Sequence, residues 1–437
     1  MTDYQKQYQD KLASIEQCLS LIHSGDVVYT THNHTEPLTI LEHLHERAPY
    51  VENVKVWKGR SGHFPIMYEP SMKGHMEMLT YFYGPTFYKE SEPLGLIDHT
   101  PSDLAHYFTA AISGHMPNVF YTGVGPMDEN GIFWMGMNNT EEVDSMQYAI
   151  DHKLPIVVEC NKHLHHARGG LQIPISAVTY ILEADRKEQD LPSIQPTELE
   201  DRIGKAVSEL VSDGDTIQLG IGGIPNAVGM YLTNRNDLGI HTEMFTNSMM
   251  DLILSGNITG KRKNIDTGLH VFSFAEGREN LYEFIQNRED CISRRSAEHI
   301  NPLTIAKQNN FVSINTCVEI DLTGQVCSES VGPKQISGSG GAFCCAYGAF
   351  ESKGGKGILA FPSRTAKGQS KIKSMVTPGA IVTIPRNYTD FVVTEYGVAR
   401  LKGCTVSERI AKLIAIAHPD DREQLREEAR RLWPAFV

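Results

Sequence analysis

The stretch DGDTIQLGIGGIPNA, residues 213–227, decides the fold class. Gly214 can end a preceding helix, because glycine readily adopts the left-handed conformation that follows many helix C-termini. TIQL, residues 216–219, is a short apolar and β-branched run of the kind that forms buried strands. The glycines after it permit a tight connection into another helix. The order helix, strand, glycine turn and helix predicts an α/β unit with parallel strands.

DGDTIQ has a counterpart earlier in the chain. SGDVVY at 24–29 matches it at an offset of 189 positions (214 − 25 = 189). PMDENG at 126–131 matches VEIDLTG at 318–324 at an offset of 193 (321 − 128 = 193). Two matches at nearly one offset indicate an internal repeat. The sequence therefore predicts two pseudo-repeated open α/β halves.

Other short apolar runs alternate with helical patterns, as in mostly parallel sheets covered by helices. The predicted strands are residues 27–31, 119–124, 156–160, 311–314, 357–361, 381–384 and 391–394. Two C-terminal helices are predicted over 407–417 and 420–432, each of which opens with a capping-type residue.

The boundary between the halves is predicted in the polar stretch ADRKEQDLPSIQPT, residues 184–197, which contains two prolines. Thr197 and Glu200 have the spacing of a capping box, so a helix should begin directly after this stretch. We expect an N-terminal half over 1–190 and a C-terminal half over 191–437.

The composition excludes several classes of protein. The chain has 437 residues, of which 41% are hydrophobic and 21% charged, as in ordinary globular proteins. A net charge of −13 argues against binding nucleic acid or an anionic membrane surface. It does not exclude an anionic small ligand, because a local basic patch can outweigh the global sign.

Features that mark export or membrane insertion are absent from the sequence. No apolar run approaches the ~20 residues needed to span a bilayer. The polar start, MTDYQKQYQDKL, has no signal-peptide core. The eight cysteines show neither CxxC spacing nor a secreted disulfide framework, which is typical of free thiols in a reducing compartment. We expect a cytoplasmic protein.

Glu243 stands in HTEMFTNSMMDL, residues 241–252, among apolar residues and soon after the glycine turn. A carboxylate at a strand end in apolar surroundings is poorly solvated and is therefore a candidate nucleophile. Alternatively Glu243 is a surface or salt-bridged residue, as most glutamates are. At the repeat offset it lies near Lys55 (243 − 55 = 188), so the first half has no carboxylate there.

Six motifs of the second half occur together and cover most of residues 200–420. They are LGIGGIPNAVG, LGIHTEMF, FVSINTCVEIDLTGQVCSES, KQISGSGGAF, SKGGKGILAFPS and VVTEYGVARLKGCTVSERIAKLIAIAHP. In these motifs and their order the chain resembles the acetyl-CoA hydrolase/transferase family, which includes 4-hydroxybutyrate and butyrate–acetate CoA-transferases. The first half is similar more weakly, through the SGD turn, GPMDENGIF and VVECNKHL. The resemblance implies CoA-transferase-type halves with the active site between them.

Within this resemblance Glu243 takes the position of the family's catalytic glutamate. The implied carboxylate attacks an acyl-CoA thioester, and the CoA thiolate then returns to the glutamyl carbonyl to give a glutamyl-CoA thioester. A second carboxylic acid reverses these steps and leaves as the new acyl-CoA. The bonds exchanged are of similar energy, so the chemistry needs no ATP, no metal and no permanently bound cofactor. Coenzyme A and acyl-CoA are substrates, and a covalent intermediate implies ping-pong kinetics.

Four further residues match the family's catalytic site. Gly340 and Gly341, in SGSGG, would offer backbone N–H groups to the developing oxyanion. Asn315 matches an asparagine near the site, and Glu395 matches a glutamate that pairs with or orients the nucleophile. The alternatives are an ordinary loop for the glycines, a turn at a strand end for Asn315, and a salt-bridge partner for Glu395.

Two segments are predicted to bind CoA. Backbone N–H groups of the turn formed by Gly220, Ile221, Gly222, Gly223 and Ile224 could meet phosphate or a pantetheine amide. The turn lacks P-loop and dinucleotide spacing, and its alternative role is a tight strand–helix connection. The stretch 352–373 is locally basic, and Lys356 and Lys367 are predicted to pair with CoA phosphates. The alternative for this stretch is a solvated loop.

The histidine-rich run NKHLHH, residues 161–166, does not predict a metal site, because no cysteine or carboxylate stands at ligand spacing. Family members often carry proline and arginine where His165 and His166 stand, so this departure bears on substrate identity. A substrate-facing histidine and a surface loop both remain open. His32 and His34, in the turn that parallels the glycine turn, are candidate pocket residues.

The sequence thus predicts a CoA-transferase that exchanges CoA between acyl-CoA and short-chain carboxylates of the acetate, butyrate or 4-hydroxybutyrate type, assembled as a homo-oligomer. The first alternative is an acyl-CoA hydrolase, in which water resolves the same intermediate. A non-catalytic CoA-binding protein with a structural Glu243 is the alternative from another class. A nucleotide-dependent ligase is disfavoured, because no phosphate-binding lysine motif is present.

Overall fold

The computed structural model describes residues 3–59, 64–67, 69–84, 91–188, 191, 195–220 and 222–436. The chain divides into two compact units. The first comprises Met1–Leu191 and Ser273–Ala297, and the second comprises Pro192–Phe272 and Glu298–Val437. The first division falls inside the polar stretch 184–197. No pattern in the sequence predicted that residues 273–297 return to the first unit.

A seven-stranded parallel sheet forms the centre of the first unit. Its strands are β1 (Val27–Thr30), β2 (Val54–Trp57), β3 (Met76–Thr80), β4 (Ile97–His99), β5 (Val119–Val124), β6 (Ile156–Asn161) and β7 (Tyr180–Ala184). The spatial order is β4-β3-β2-β1-β5-β6-β7, and every neighbouring pair is parallel. The order reverses between β1 and β5, and in such sheets ligands bind beyond the carboxyl ends of the strands at this point.

Helices and short strands complete the first unit. The α-helices are Asp3–Lys11, Ile15–Ser20, Leu38–His43, Tyr107–Gly114, Glu142–Asp151 and Glu279–Gln286. The 3₁₀ helices are Asn33–Thr35, Leu44–Tyr50, Pro65–Met67, Pro70–Met72, Glu92–Leu94 and Ile175–Ala177. The short strands are Ile132–Trp134, Gln172–Pro174, Phe274–Ala275 and Cys291–Ser293. The core contains aliphatic side chains of the sheet and of the first helices, including Val28, Val56 and Ile22.

The second unit contains a six-stranded sheet. Its strands are β8 (Thr216–Leu219), β9 (Gly239–Ile240), β10 (Phe311–Asn315), β11 (Lys356–Ala360), β12 (Phe391–Thr394) and β13 (Gly397–Arg400). The order is β9-β8-β10-β11-β12-β13, with all pairs parallel except β12 and β13. The strand order reverses between β8 and β10, as it does between β1 and β5 in the first unit. The two similar α/β halves and their mostly parallel sheets confirm the predicted fold class.

The remaining elements of the second unit are short strands and helices. The α-helices are Glu198–Ser208, Gly223–Tyr231, Asn247–Leu254, Pro302–Ile305, Ala342–Glu351, Val406–Ile416 and Arg422–Leu432, and Ser296–His299 spans the division. The 3₁₀ helices are Leu232–Asn234, Arg386–Tyr388 and Pro419–Asp421. The short strands are Met244–Phe245, His270–Phe272, Glu319–Asp321, Val326–Cys327, Ser330–Val331, Lys334–Gln335 and Ile372–Lys373. A core around Ile320, Phe361 and Leu413 lies under the C-terminal helices.

Most local predictions are confirmed, but helix Glu198–Ser208 ends at its C-cap residue Glu209, five positions before the predicted stop at Gly214. The capping box of Thr197 and Glu200 begins helix Glu198–Ser208 as expected. The strand predicted at 381–384 is wrong, since only Ile384 forms a single bridge, to Val326. Side-chain hydrogen bonds replace a ladder in this run: the amide of Ile381 donates to Ser330, and Thr383 accepts from the amide of Ser328. No helix in the described part of the chain is long and apolar enough to cross a membrane.

Candidate active site

Glu243 lies three residues beyond β9, at the carboxyl edge of the second unit's sheet. Its Oε2 lies against Gly341, the N-cap residue of helix Ala342–Glu351. A Cβ atom at position 341 would overlap this oxygen and would also contact Ile300. The structure therefore brings together Glu243 and Gly341, which the sequence analysis predicted as nucleophile and oxyanion donor.

Burial controls the electrostatics of Glu243. It raises the pKa of the carboxyl from 4.5 to about 7, and the backbone N–H of Gly341 opposes the rise only in part. Oε2 is buried, and within the described residues no well-aligned hydrogen bond reaches it. A carboxylate that ionises near neutral pH with so few donors is poorly solvated, which is the condition for nucleophilic attack.

The N-terminus of helix Ala342–Glu351 adds positive potential to this corner. The first turn of an α-helix has backbone N–H groups without intrahelical partners, and the helix dipole favours negative charge there. Gly340 precedes it with φ of +51°, in the left-handed region that glycine tolerates. These amides can stabilise an oxyanion that forms next to Glu243.

Asn315 and Glu395 also lie at the carboxyl edge of this sheet, but each is bound to other residues. Nδ2 of Asn315 donates to Oε1 of Gln218 over 3.1 Å and to Oγ of Ser313 over 2.8 Å. Glu395 accepts hydrogen bonds from the backbone N–H and the hydroxyl of Ser363, at 2.8 and 2.6 Å. Neither residue contacts Glu243 within the described structure.

The glycine turn joins β8 to helix Gly223–Tyr231. Gly222 has φ of +116°, a conformation that L side chains rarely adopt. A Cβ at Gly223 would overlap the carboxylate of Glu200, so this glycine permits close packing against helix Glu198–Ser208. Ile224 is buried in the same helix, Gly220 ends the strand, and Ile221 lies outside the described residues.

The two predicted CoA lysines differ in their surroundings. Nζ of Lys356 forms an ion pair with Asp215 at 3.0 Å. Because Lys356 begins β11 and Asp215 precedes β8, this pair lies at the amino ends of the strands, opposite the edge that carries the glycine turn. Lys367 is exposed in the turn that follows Arg364.

Strand pairing corrects the alignment of the two halves. β1 begins at Val27, which pairs with Lys55, and β8 begins at Thr216, which pairs with Gly239. Lys55 is therefore equivalent to Gly239, and four residues further on Gly59 is equivalent to Glu243. The earlier alignment of Glu243 with Lys55 was wrong because β1–β2 and β8–β9 are connected by segments of different length.

The helix facing this position also has a counterpart. Helices Glu142–Asp151 and Ala342–Glu351 are both ten residues long. Each leads into the strand at the equivalent place in its sheet, β6 next to β5 or β11 next to β10. Their N-cap residues are Glu141 and Gly341. The first unit thus has a carboxylate where the second unit has a glycine, and a glycine where the second has its glutamate.

The first unit's corner contains a buried cluster of charged residues. His32 and Glu141 are in direct contact through Nε2 and Oε1, and Gly59 donates its N–H to Nδ1 of His32 over 2.8 Å. Burial alone would raise the pKa of Glu141, but the interaction with His32 outweighs burial and lowers that pKa. Burial and the adjacent Glu141 raise the pKa of Glu142 to about 7.

His32, Glu141 and Glu142 are the group in the described residues whose donor atoms have metal-ligand spacing, within 4.8 Å of one another. These donors already bind protein groups. His32 and Glu141 bind each other, and Glu142 accepts from the hydroxyl of Thr140 over 2.7 Å. Lys58 lies beside them and pairs with Glu36 at 2.6 Å. The sequence analysis named His32 but missed the two glutamates, which only the comparison of the two N-cap positions singles out.

Three other histidines of the first unit bind carboxylates that follow β7. His163 pairs with Asp185 at 2.8 Å, and His165 and His34 pair with the two oxygens of Glu188 at 2.7 and 2.8 Å. His34 and Glu188 line a cavity of about 270 Å³ at the carboxyl ends of β1, β5 and β6. His166 stacks on Trp134 at 4.8 Å between ring centroids.

Comparison with known proteins identifies the family. Residues 1–190 match the acetyl-CoA hydrolase/transferase N-terminal domain, and residues 277–429 match the C-terminal domain of the same family. The chain belongs to the acetyl-CoA hydrolase/transferase family. This confirms the resemblance drawn from the six motifs.

Three relatives show how far the similarity extends. The chain is 36% identical to succinyl-CoA:cyclohexane-1-carboxylate CoA transferase of Geobacter metallireducens, covering 98% of this chain and 97% of the relative. It is also 36% identical to 4-hydroxybutyrate coenzyme A transferase of Clostridium kluyveri, covering 98% and 99%. The crystal structure of 4-hydroxybutyrate CoA-transferase from Porphyromonas gingivalis has a TM-score of 0.80 at 32% identity, covering 98% and 100%.

The family name includes hydrolases and transferases, and the two kinds of relative differ in how much of this chain they match. Acetyl-CoA hydrolases of Yarrowia lipolytica and Candida albicans match only 48% of this chain. The CoA-transferases match almost all of it. The predicted transferase activity is confirmed over the hydrolase alternative, and this member of the family is a CoA-transferase enzyme.

Proposed function

We propose that this CoA-transferase moves CoA between a short-chain acyl-CoA and a free carboxylate through a covalent intermediate on Glu243. The observation that carries the proposal is the buried Oε2 of Glu243 against the amide of Gly341. A carboxylate whose pKa is near 7 is partly ionised at physiological pH, and within the described residues few donors stabilise the anion and lower its nucleophilicity.

The first chemical step is attack of Glu243 on the thioester carbonyl. The carbon–sulfur bond breaks, and an acyl-glutamyl anhydride and CoA thiolate form. Negative charge that develops on the thioester oxygen lies within reach of the amides that begin helix Ala342–Glu351, which include Gly341. Thiolate attack on the glutamyl carbonyl releases the first acid and leaves glutamyl-CoA, and the second acid reverses both steps.

Asn315 and Glu395 have a supporting role in this proposal. Both are fixed at the carboxyl edge of the sheet, Asn315 by Gln218 and Ser313 and Glu395 by Ser363. Residues held this firmly can orient a ligand or a loop with little loss of conformational entropy.

CoA itself would bind at the glycine turn. Gly220, Gly222 and Gly223 present backbone without side chains between β8 and the N-terminus of helix Gly223–Tyr231, where amides can meet phosphate or a pantetheine carbonyl. Lys367 is exposed and available to a phosphate, whereas Lys356 is engaged by Asp215 and takes no part in the proposed CoA site.

The substrates are short-chain acids of the acetate, butyrate or 4-hydroxybutyrate type, with acetyl-CoA or acetate as one partner. Full-length similarity to transferases named for butyrate, 4-hydroxybutyrate and cyclohexane-1-carboxylate supports a monocarboxylate as one of the two acids. No permanently bound cofactor enters the chemistry, because each step exchanges an acyl bond for another of similar energy.

A cytoplasmic location and a homo-oligomeric state complete the proposal. All eight cysteines are free thiols, as in reducing compartments. In the second unit Met230, Leu254 and Leu303 are more than half exposed, which suits a contact with a second copy of the chain. Light scattering coupled to size-exclusion chromatography would give the mass of the assembly.

Initial-rate kinetics test the proposed reaction. With butyryl-CoA as donor and acetate as acceptor, double-reciprocal plots at several fixed acetate concentrations should be parallel, as in a ping-pong mechanism. Acetyl-CoA should form in equal amount to the butyryl-CoA consumed. CoA release that does not depend on acetate would instead show that water resolves the intermediate, and intersecting lines would exclude a covalent mechanism.

Two variants complete the test. Glu243→Gln should lose the exchange, whereas Glu351→Gln should retain it, since Glu351 is an exposed residue at the far end of helix Ala342–Glu351. Equal loss in both variants would point to a general effect on folding and not to the nucleophile.

A further inference from the structure

The backbone that carries Glu243 leaves the main sheet after His241, whose amide donates to the carbonyl of Ile217 over 3.2 Å. β9 ends at Ile240, so Glu243 lies beyond the regular ladder between β8 and β9. Segments beyond the end of a strand are usually mobile, because their amides and carbonyls lack ladder partners. A nucleophile in such a segment needs another means of fixation.

Two buried histidines supply this fixation. Nε2 of His299 donates to the backbone carbonyl of Thr242 over 2.9 Å, directly before Glu243. Nε2 of His241 donates in turn to the backbone carbonyl of His299 over 2.7 Å. The two rings lie 5.3 Å apart in an edge-to-face arrangement, and both residues are almost completely buried. His299 therefore binds the backbone next to His241, and His241 binds the backbone of His299.

Three further hydrogen bonds hold the same segment. The amide of Thr242 donates to the carbonyl of Val271 over 3.0 Å. Nζ of the buried Lys263 donates to the carbonyl of Ile240 over 2.8 Å. The hydroxyl of Thr242 donates to the carbonyl of Met244 over 3.0 Å. Of these contacts, the one made by His299 reaches the carbonyl of the residue directly before the nucleophile.

His299 is also linked to the Gly341 side of the site, because the next residue in the chain is Ile300. Ile300 borders the space between Glu243 and Gly341. A displacement of His299 would thus change both the peptide that carries the carboxylate and the wall next to the oxyanion amide. A shift of about 1 Å in a reacting group can reduce a rate on the order of 100-fold.

We propose that His299 and His241 are positioning residues for the nucleophile: together they fix the Thr242 peptide so that the carboxylate of Glu243 meets the amide of Gly341. The inference rests on the proposed function of Glu243. Both imidazoles act as Nε2–H donors to backbone carbonyls, so their role is geometric and involves no proton transfer to substrate.

The test compares three variants of the full-length protein. His299→Phe removes the donor to Thr242 but retains an aromatic ring of similar size, and His299→Gln keeps an amide donor in place of Nε2. His75→Phe is the matched control, because His75 makes the same kind of ring-to-carbonyl bond, 2.7 Å to Val51, in the first unit. His241→Phe, which removes the second half of the pair, is the alternative if His299→Phe does not fold.

The expected result is a selective loss of turnover. His299→Phe should lower kcat by about 10- to 100-fold and leave the KM for acyl-CoA within about 2-fold, because binding of CoA does not depend on this peptide. His299→Gln should recover most of kcat, and His75→Phe should lower the melting temperature without changing kcat. Hydrogen exchange of the peptide that contains residues 241–245 should be faster in His299→Phe before any substrate is added.

Two outcomes would overturn the inference. One is a folded His299→Phe protein with unchanged kcat and unchanged hydrogen exchange at 241–245. The other is a His299→Gln protein as impaired as His299→Phe. A failure of the proposed function gives a different result, since wild-type protein would then form no covalent adduct on Glu243 while hydrogen exchange still reports whether His299 orders the segment.

Discussion

Equivalent corners of the two units hold carboxylates in opposite arrangements. In the second unit Glu243 follows the strand and faces Gly341 at the helix N-cap. In the first unit the strand position is Gly59 and the N-cap position is Glu141. The same scaffold therefore presents a buried carboxylate from the strand side in one unit and from the helix side in the other.

The difference between the two carboxylates is their partner. His32 contacts Glu141 directly, and this interaction lowers the pKa of that carboxyl despite burial. For Glu243, the amide of Gly341 is the one group in the described part of the chain that opposes the effect of burial, so burial dominates and raises its pKa to about 7. The comparison teaches that burial alone does not make a nucleophile. A buried carboxylate becomes reactive when the fold withholds a strong hydrogen-bonding partner.

The strongest way to break the comparison is to remove the unpaired carboxylate. Glu243→Gln should lower CoA exchange by about 1000-fold or more, because a neutral amide cannot form the anhydride. CoA binding, measured by calorimetry, should stay within a few-fold of wild type. Residual activity above a few per cent in carefully purified protein would contradict the role of Glu243.

The donor that faces the nucleophile gives the next largest effect. Gly341→Ala places a Cβ where Oε2 of Glu243 now lies and should reduce the single-turnover acylation rate on the order of 100-fold. Gly114→Ala is the control, because a Cβ at Gly114 meets no atom within 4 Å. Unimpaired acylation in Gly341→Ala would show that this corner is not the reaction site.

The paired carboxylate should affect stability and not chemistry. His32→Gln removes the imidazole that donates to the buried Glu141, which should lower the free energy of unfolding by about 3 kcal/mol at pH 7 in urea titrations. The covalent adduct on Glu243 should still form in the folded variant. If that adduct disappears while the variant remains folded, the first unit's cluster takes part in the reaction.

The pH dependence distinguishes the two carboxylates further. The ionised form of Glu243 is the nucleophile, so acylation should increase about tenfold per pH unit below pH 7 and level off above it. The same raised pKa means that the native state holds this proton more tightly than the unfolded chain. The contribution of Glu243 to stability should therefore fall as pH rises from about 4.5 through 7. A pH-independent acylation rate between pH 5.5 and 8 would contradict the raised pKa.

The sequence predicted much of the fold because its signals are local. Short β-branched runs, the capping box at Thr197 and the repeated Gly-Asp turn are each read from a few neighbouring residues. The prediction at 381–384 failed because its hydrogen-bond partners, the amide of Ser328 and the hydroxyl of Ser330, lie some fifty residues away. The return of residues 273–297 to the first unit is likewise a long-range contact without a local signal.

The site was predicted in the same uneven way. Glu243 and Gly341 could be named from motifs, and the structure brings them together. The motifs gave no warning that Lys356 pairs with Asp215, because its partner lies 141 positions away in the chain. Nor did they reveal His299, since a ring-to-carbonyl bond leaves no pattern in the residues around it.

The central claim is most directly tested by peptide mass spectrometry after borohydride treatment of enzyme incubated with butyryl-CoA or acetyl-CoA. Reduction of a glutamyl-CoA thioester should change the mass of the peptide that contains Glu243 and of no other peptide. The change should be absent from Glu243→Gln and present in Glu351→Gln. A modified peptide elsewhere, or none with either donor while CoA binding is proven, would contradict the assignment of Glu243 as the nucleophile.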